Sequence, residues 1–417
     1  MEKYMINGGR KLSGKITIQS AKNAVLPIMA GSILTDEEVV IKNCPKIKDV
    51  MSMLNILSHL GCAWQFEGDN LILNSKCTDK YTVPKELANE LRSSIFMLGA
   101  LICRFKKAQV NFPGGCDIGN RPIDLHLSAL EKLGVKVTDF NGEIFCYANS
   151  IVGKDIYLDF PSVGATENII LASVLAKGKT QIFNPAREPE IVDLLNFLNS
   201  MGAKIYGAGT STILIEGVDK LHGTEYTPIP DRIECGTFLI ATAITGGEIE
   251  VNNCNAKNIS VLIHKLCDNT CKITINNDII YIKSGVESKS FSFSTGPYPL
   301  FPTDLQAQTM ALQCVCSGKS VAIENVFEKR FSHISSLIDM GADITVKGKR
   351  AYINGVKRLK GANVCANDLR GGAALVLAGL NAEGQTSVGN IFHIERGYFD
   401  FDKKLNMLGA DIIKING

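Results

Sequence analysis

The chain is short of almost everything that marks nucleic-acid binders, membrane proteins and metalloproteins. Lys and Arg total 44 against 42 Asp and Glu, and this balance excludes the basic excess of a nucleic-acid or anionic-membrane surface. No stretch approaches the roughly 20 apolar residues of a membrane span, and residues 1–15 hold no apolar core of signal-peptide length. The expected location is therefore the cytoplasm, with no nucleic-acid or membrane partner. Six His are too few and too scattered to pair at ligand spacing, and the thirteen Cys form neither CxxC pairs nor zinc-finger patterns. Scattered through apolar segments such as Leu101-Ile102-Cys103, most of these Cys read as reduced core thiols. The Gly-Gly pairs at 8–9, 246–247 and 371–372 fit neither a Rossmann fingerprint nor a P-loop.

What the chain does have is length and internal repetition. With 417 residues, 45% of them hydrophobic, it is too long for one ordinary core and apolar enough for two. A Leu/Met-Gly pair followed by an apolar strand recurs at Leu60-Gly61, Leu133-Gly134, Met201-Gly202, Met340-Gly341 and Leu408-Gly409, with a degenerate copy between Leu266 and Ile273. The spacing of about 70 residues marks a repeat architecture. A strand-ending Asn at 43, 111, 184, 252, 325 and 390 aligns the units independently. Each unit predicts strand, small-residue helix, strand, loop, second helix ending at the Gly, then one or two strands: six βαβαββ units in an α/β protein. In the third unit the elements fall at 154–160, 166–177, 180–184, 190–201 and 203–206. From Asn to Gly most units take 16 to 19 residues, but the second takes 23, so its loop carries an insertion at 112–120.

That inserted loop, rich in Gly, surrounds Cys116 and is followed by Arg121 and Pro122. A thiol beside a helix N-terminus and a guanidinium has its thiolate favoured; the alternative is an incidental Cys in a surface loop. Cations also stand where a helix dipole disfavours them. Lys22 follows Ser20, an expected N-cap, and Arg370 follows Asn367 and Asp368, while Arg121, Arg330 and Arg396 precede the second helices of their units. Five cations at equivalent helix starts would converge into an anion site, or else pair with surface carboxylates. Asp304, ahead of an apolar helix, reads as a cap or first-turn carboxylate, or as a general base.

Taken together, Ser20-Ala-Lys-Asn-Ala24, Pro113 to His126, Arg187 to Val192, Phe301-Pro-Thr-Asp-Leu-Gln-Ala-Gln308 and Arg396-Gly-Tyr398 resemble the UDP-N-acetylglucosamine 1-carboxyvinyltransferases of the enolpyruvyl transferase family. The resemblance runs from Asn7 to the final Leu-Gly-Ala-Asp-Ile. It implies the family's two-domain inside-out α/β barrel, with residues 22–229 as one domain and 1–21 plus 230–417 as the other, an N-terminal strand crossing to complete the second, and the active site in the cleft. The Cys loop is absent from the sister shikimate-phosphate transferases. Members with Asp at the loop position resist fosfomycin; here it is Cys116.

The resemblance further implies that Lys22, Arg121 and Arg396 hold the phosphate of phosphoenolpyruvate and that Arg330 and Arg370 hold its carboxylate. Asn23, Arg92, Arg121, Pro122, Ile123, Asp124, Leu125, Ser162, Val163, Gly164, Asp304 and Val326 match positions that contact the UDP-sugar. Cys116 is placed as proton donor or covalent thiol, Asp304 as base, and no cofactor or metal is implied. Two rivals stand beside this assignment: the sister reaction on shikimate 3-phosphate, and a silent sugar-nucleotide-binding paralogue.

Overall fold

Short β-branched runs alternate along the chain with two kinds of helix, and the strands assemble into six separate four-stranded sheets. The computed structural model describes residues 2–114, 123–285 and 287–415; Cys116, Arg121 and Pro122 lie outside the described residues. Every sheet repeats one order, seen in the third repeat. There Asp155–Tyr157 runs parallel to Lys179–Phe183, which pairs antiparallel with Thr212–Glu216, and Lys204–Tyr206 closes the far edge. Along Thr212–Glu216 only Ile213 and Ile215 are fully buried, so each sheet covers a core with one face and meets solvent with the other.

The first helix of each repeat is buried nearly all round. Leu369 to Leu380 are all buried in Leu369–Asn381, as are Ile233 to Ile244 in Arg232–Thr245, which marks interior helices. Arg232–Thr245, Gln306–Gln313 and Leu369–Asn381 pack on one another. The second helices are amphipathic: Pro189–Ser200 starts on a Pro in the first turn and buries Ile191, Leu194, Leu195 and Leu198. Helices inside and sheets outside give the inside-out arrangement expected, without a continuous ring of strands among the described residues. No helix among them is long and apolar enough to cross a membrane.

The described residues form two compact units, 20–114 with 123–229, and 2–19 with 230–415. Each holds three sheets and is closed by strands borrowed across the sequence. In the first unit Thr224–Tyr226 returns to lie parallel to Glu38–Ile41. In the second the N-terminal stretch supplies two strands to two sheets. Lys3–Asn7 lies between Gln385–Gly389 and Ile412–Ile415, and Ser13–Thr17 pairs with Glu248–Asn252.

The repeat signature has a backbone cause. Asn43, Asn184 and Asn390 are left-handed, at φ 51°, 54° and 56°, as Asn tolerates best after Gly. Gly61, Gly134, Gly202, Gly341 and Gly409 all lie between φ +90° and +97°. The fourth repeat puts Thr270 there at φ 82°, strained for a β-branched residue. Its turn is tied down by Thr270 Oγ1 donating to the Glu287 carbonyl at 2.6 Å and Asn269 Nδ2 donating to the Lys289 carbonyl at 2.7 Å.

Two repeat glycines separate conformational cost from steric cost. A Cβ at Gly341 meets nothing within 4 Å, whereas one at Gly61 would stand 2.7 Å from the Cys77 carbonyl oxygen. Gly341→Ala should cost about 1–2 kcal/mol, the price of a left-handed Ala, and Gly61→Ala clearly more; equal losses on denaturant unfolding would contradict the steric account.

Candidate active site

In the unit containing residues 20–229, Lys22 opens the helix Lys22–Gly31. Ala21 stands at its N-cap without a side-chain cap; Ser20, expected there, donates its hydroxyl to the Pro228 carbonyl at 3.4 Å instead. The Lys22 ammonium sits 2.7 Å from a carboxylate oxygen of Asp49, whose side chain is almost wholly buried. A cation that the helix dipole disfavours is therefore held by an internal carboxylate. Half-buried Asn23 follows it in the first turn. Arg92 begins the turn Arg92–Ile95 and donates to the Pro113 carbonyl at 3.3 Å, tethering the start of the inserted loop.

Two segments assigned to the UDP-sugar are joined in this unit. Buried Ile123 precedes Asp124–Lys132, with Asp124 exposed and Leu125 half-buried in the first turn. Ser162 caps Val163–Ser173, its Oγ accepting from the Ala165 N–H at 3.3 Å, so Val163 and Gly164 lie at the helix start. Between them the backbone N–H of Gly99 donates to Asn168 Oδ1 at 2.7 Å, which fixes the amide and leaves Asn168 Nδ2 to donate to His126 Nδ1 at 2.7 Å. A neutral His126 then carries its proton on Nε2. A Cβ at Gly164 would press on His126 Cε1 at 2.9 Å.

The other unit holds the tightest charged cluster. Asp304, in the turn Thr303–Leu305, makes no cap. Its Oδ1 accepts from Arg330 at 2.7 Å and its Oδ2 from Arg370 at 3.0 Å. Asp304 is thus a first-turn carboxylate and not the cap, and the two guanidiniums claim both of its oxygens. The Arg370 guanidinium also donates to the Tyr398 hydroxyl at 3.3 Å, and that hydroxyl meets Thr237 Oγ1 at 2.8 Å and Gln308 Nε2 at 3.2 Å. Burial opposes the charge on Arg370, but Asp304, Tyr398 and Asp231 outweigh it and raise its pKa.

Of the cations expected at helix starts, Arg370 fits: it lies in the first turn of Leu369–Asn381, behind the cap Asp368, whose Oδ1 accepts from the Arg370 and Gly371 N–H groups at 2.9 Å. Arg330 lies in a turn ahead of Ile334–Asp339, and buried Arg396 stands at the C-terminal end of Phe392–Glu395. Both are buried and, as expected, precede the second helices of their units, Ile334–Asp339 and Phe401–Met407; Arg330 is held in addition by its ion pair with Asp304. Val326 donates its N–H to Glu324 Oε1 at 2.8 Å. The structure thus gathers Asp304, Arg330 and Arg370. The residues missed in sequence are supports: Asp49 for Lys22, and Tyr398, Gln308 and Thr237 for this cluster. Tyr398 and Gln308 end two of the motifs quoted above, but nothing local marks them as bracing groups.

His333 lies beside this cluster. Burial pushes its imidazole down to about 4, offset in part by Asp368. Asp368 itself is pushed up by burial but held low overall by Arg330, the Gly371 N–H, His333 and Ser332. Because the unfolded chain takes up the His333 proton at about 6.5 and the folded one only near 4, stability is full above that upper value and falls as pH drops through the window. His333→Phe should remove roughly 3 kcal/mol of acid sensitivity between pH 6.5 and 4. Asp193, lifted to about 6 by burial, acts in the opposite sense over the same range, so the readout is the variant's unfolding free energy minus the parent's. An unchanged acid limb would contradict a buried neutral His333.

Comparison with known proteins bears on the same chain. Residues 6–405 match the family model described as EPSP synthase (3-phosphoshikimate 1-carboxyvinyltransferase). A protein of Caldanaerobacter subterraneus subsp. tengcongensis named UDP-N-acetylglucosamine 1-carboxyvinyltransferase 2 is 51% identical over 416 residues, covering 100% of both chains. One of the same name from Carboxydothermus hydrogenoformans is 48% identical, again over 100% of both. Among solved structures, the enolpyruvyl transferase NikO from Streptomyces tendae has a TM-score of 0.87 at 24% identity, covering 99% of this chain and 98% of that one. EPSP synthase from Acinetobacter baumannii has a TM-score of 0.77 at 17% identity, with 100% of both covered. The last two share the fold; with the family match and the full-length relatives, the chain belongs to the EPSP synthase family of enolpyruvyl transferases, and within it to the UDP-N-acetylglucosamine 1-carboxyvinyltransferases.

Proposed function

We propose that the protein transfers the enolpyruvyl group of phosphoenolpyruvate to the 3-hydroxyl of UDP-N-acetylglucosamine and releases inorganic phosphate, the first committed step of peptidoglycan synthesis. What carries the acceptor assignment is identity over the whole length. It is 51% to a relative named for the UDP-sugar, against 17% to the EPSP synthase structure. A cytoplasmic setting is supported by the cysteines: the twelve described are all free, nine of them buried.

The chemistry is an addition followed by an elimination. A proton is delivered to C3 of phosphoenolpyruvate, C2 becomes cationic, and the sugar oxygen bonds to C2 as its proton leaves to a base. Loss of a proton from the new methyl group then restores the double bond as the C2–O bond to phosphate breaks. Cys116 is the proton donor or the thiol that adds to the same carbon, and Asp304 is the base. Arg330 and Arg370 take the carboxylate, a role suited to two buried guanidiniums aimed at one point, where charge-assisted bonds are strong. Lys22, Arg121 and Arg396 take the phosphate and stabilise its departure. The sugar nucleotide is held by Asn23, Arg92, the 121–125 segment, Ser162 to Gly164, Asp304 and Val326. The His126–Asn168 link keeps two of these segments in register.

Purified protein mixed with phosphoenolpyruvate and either UDP-N-acetylglucosamine or shikimate 3-phosphate should release phosphate with the UDP-sugar alone. Release with shikimate 3-phosphate would move the assignment to the sister reaction. Binding of the UDP-sugar without release from either mixture would mark a silent paralogue.

A further inference from the structure

Resting on the function proposed above, Asp304 is asked to be a free base while Arg330 and Arg370 hold a substrate carboxylate. In the structure both of its oxygens accept from those same two guanidiniums. A carboxylate so engaged is a poor base, because hydrogen bonds from cations favour its charged form. We propose that Asp304 occupies the seat of the substrate carboxylate, and that the substrate, by taking over Arg330 and Arg370, releases Asp304 to accept the proton of the attacking hydroxyl.

The members of the cluster differ in freedom. The arginine side chains are 5% and 4% exposed, against 26% for Asp304. Arg370 is braced by Tyr398, itself held by Thr237 and Gln308. Gln308 Nε2 also donates to the Asp304 backbone carbonyl at 2.9 Å. That bond anchors the turn without holding its side chain, so the carboxylate can rotate away while the backbone stays. The exchange replaces one carboxylate by another, and neither buried guanidinium is left unpaired at its end, a state that would be strongly unfavourable. The base thus becomes available only when its co-substrate is in place.

Calorimetric titration of the full-length protein without sugar nucleotide tests this with phosphoenolpyruvate and inorganic phosphate as separate ligands. Asp304→Asn and Asp304→Ala remove the internal competitor, the first almost isosterically. Both should bind phosphoenolpyruvate about tenfold or more tightly than the parent, the factor by which a self-occupied site suppresses apparent affinity. Their affinity for inorganic phosphate should change by less than about threefold, since the exchange is with a carboxylate. Unchanged or weaker binding of phosphoenolpyruvate would overturn the exchange, and equal gains for both ligands would reduce Asp304 to a general negative charge. Phosphate release by the parent protein with UDP-N-acetylglucosamine reports on the function separately. Release without the affinity gain sinks the exchange alone, whereas an affinity gain without release leaves the exchange standing and removes the function.

Discussion

Two guanidiniums, Arg330 and Arg370, can remain charged inside their unit because one carboxylate, Asp304, lies between them. Removing a partner from a buried ion pair costs on the order of 3–5 kcal/mol, so the cluster is stable only when a carboxylate sits at that point. That constraint links folding to function. On the function proposed above, the group that balances the two buried charges is the one the chemistry requires elsewhere, and the substrate carboxylate supplies its replacement. Lys22 obeys the same rule in the other unit, where Asp49 holds it at 2.7 Å. On the same proposal, cations meant for an anionic substrate are held against the protein's own carboxylates.

The repeat fold makes such storage possible. Interior helices rich in small residues bring Leu369–Asn381, Gln306–Gln313 and Arg232–Thr245 against one another. Polar side chains from three repeats, Arg370, Gln308 and Thr237, can thereby meet at the single hydroxyl of Tyr398. Closure of that unit by Lys3–Asn7 and Ser13–Thr17 ties its first and last repeats together through the N-terminal stretch.

Legibility in the sequence followed locality. The repeats were visible because each needs a left-handed residue at one place, and five of the six use Gly. The fourth looked degenerate because Thr270 accepts the strained angle with help from hydrogen bonds distant in sequence. The two-strand contribution of the N-terminus was beyond local reading, since Lys3–Asn7 pairs with strands nearly four hundred residues away. At the site, residue types were legible and their partners were not. Asp304 looked like a cap because a carboxylate ahead of a helix usually is one, and only the fold brings two arginines to it. Ser20 failed as a cap because the Pro228 carbonyl takes its hydroxyl. Nothing local marked Tyr398, Gln308 and Thr237 as bracing groups, because a buried polar network is defined by contacts between repeats.

The most direct test is a crystal structure of the protein with a non-reactive phosphoenolpyruvate analogue that keeps the carboxylate. The account predicts the analogue's carboxylate against both Arg330 and Arg370, with the Asp304 side chain turned away and its backbone carbonyl still bonded to Gln308. A structure in which Asp304 keeps both arginines while the carboxylate binds elsewhere would contradict it.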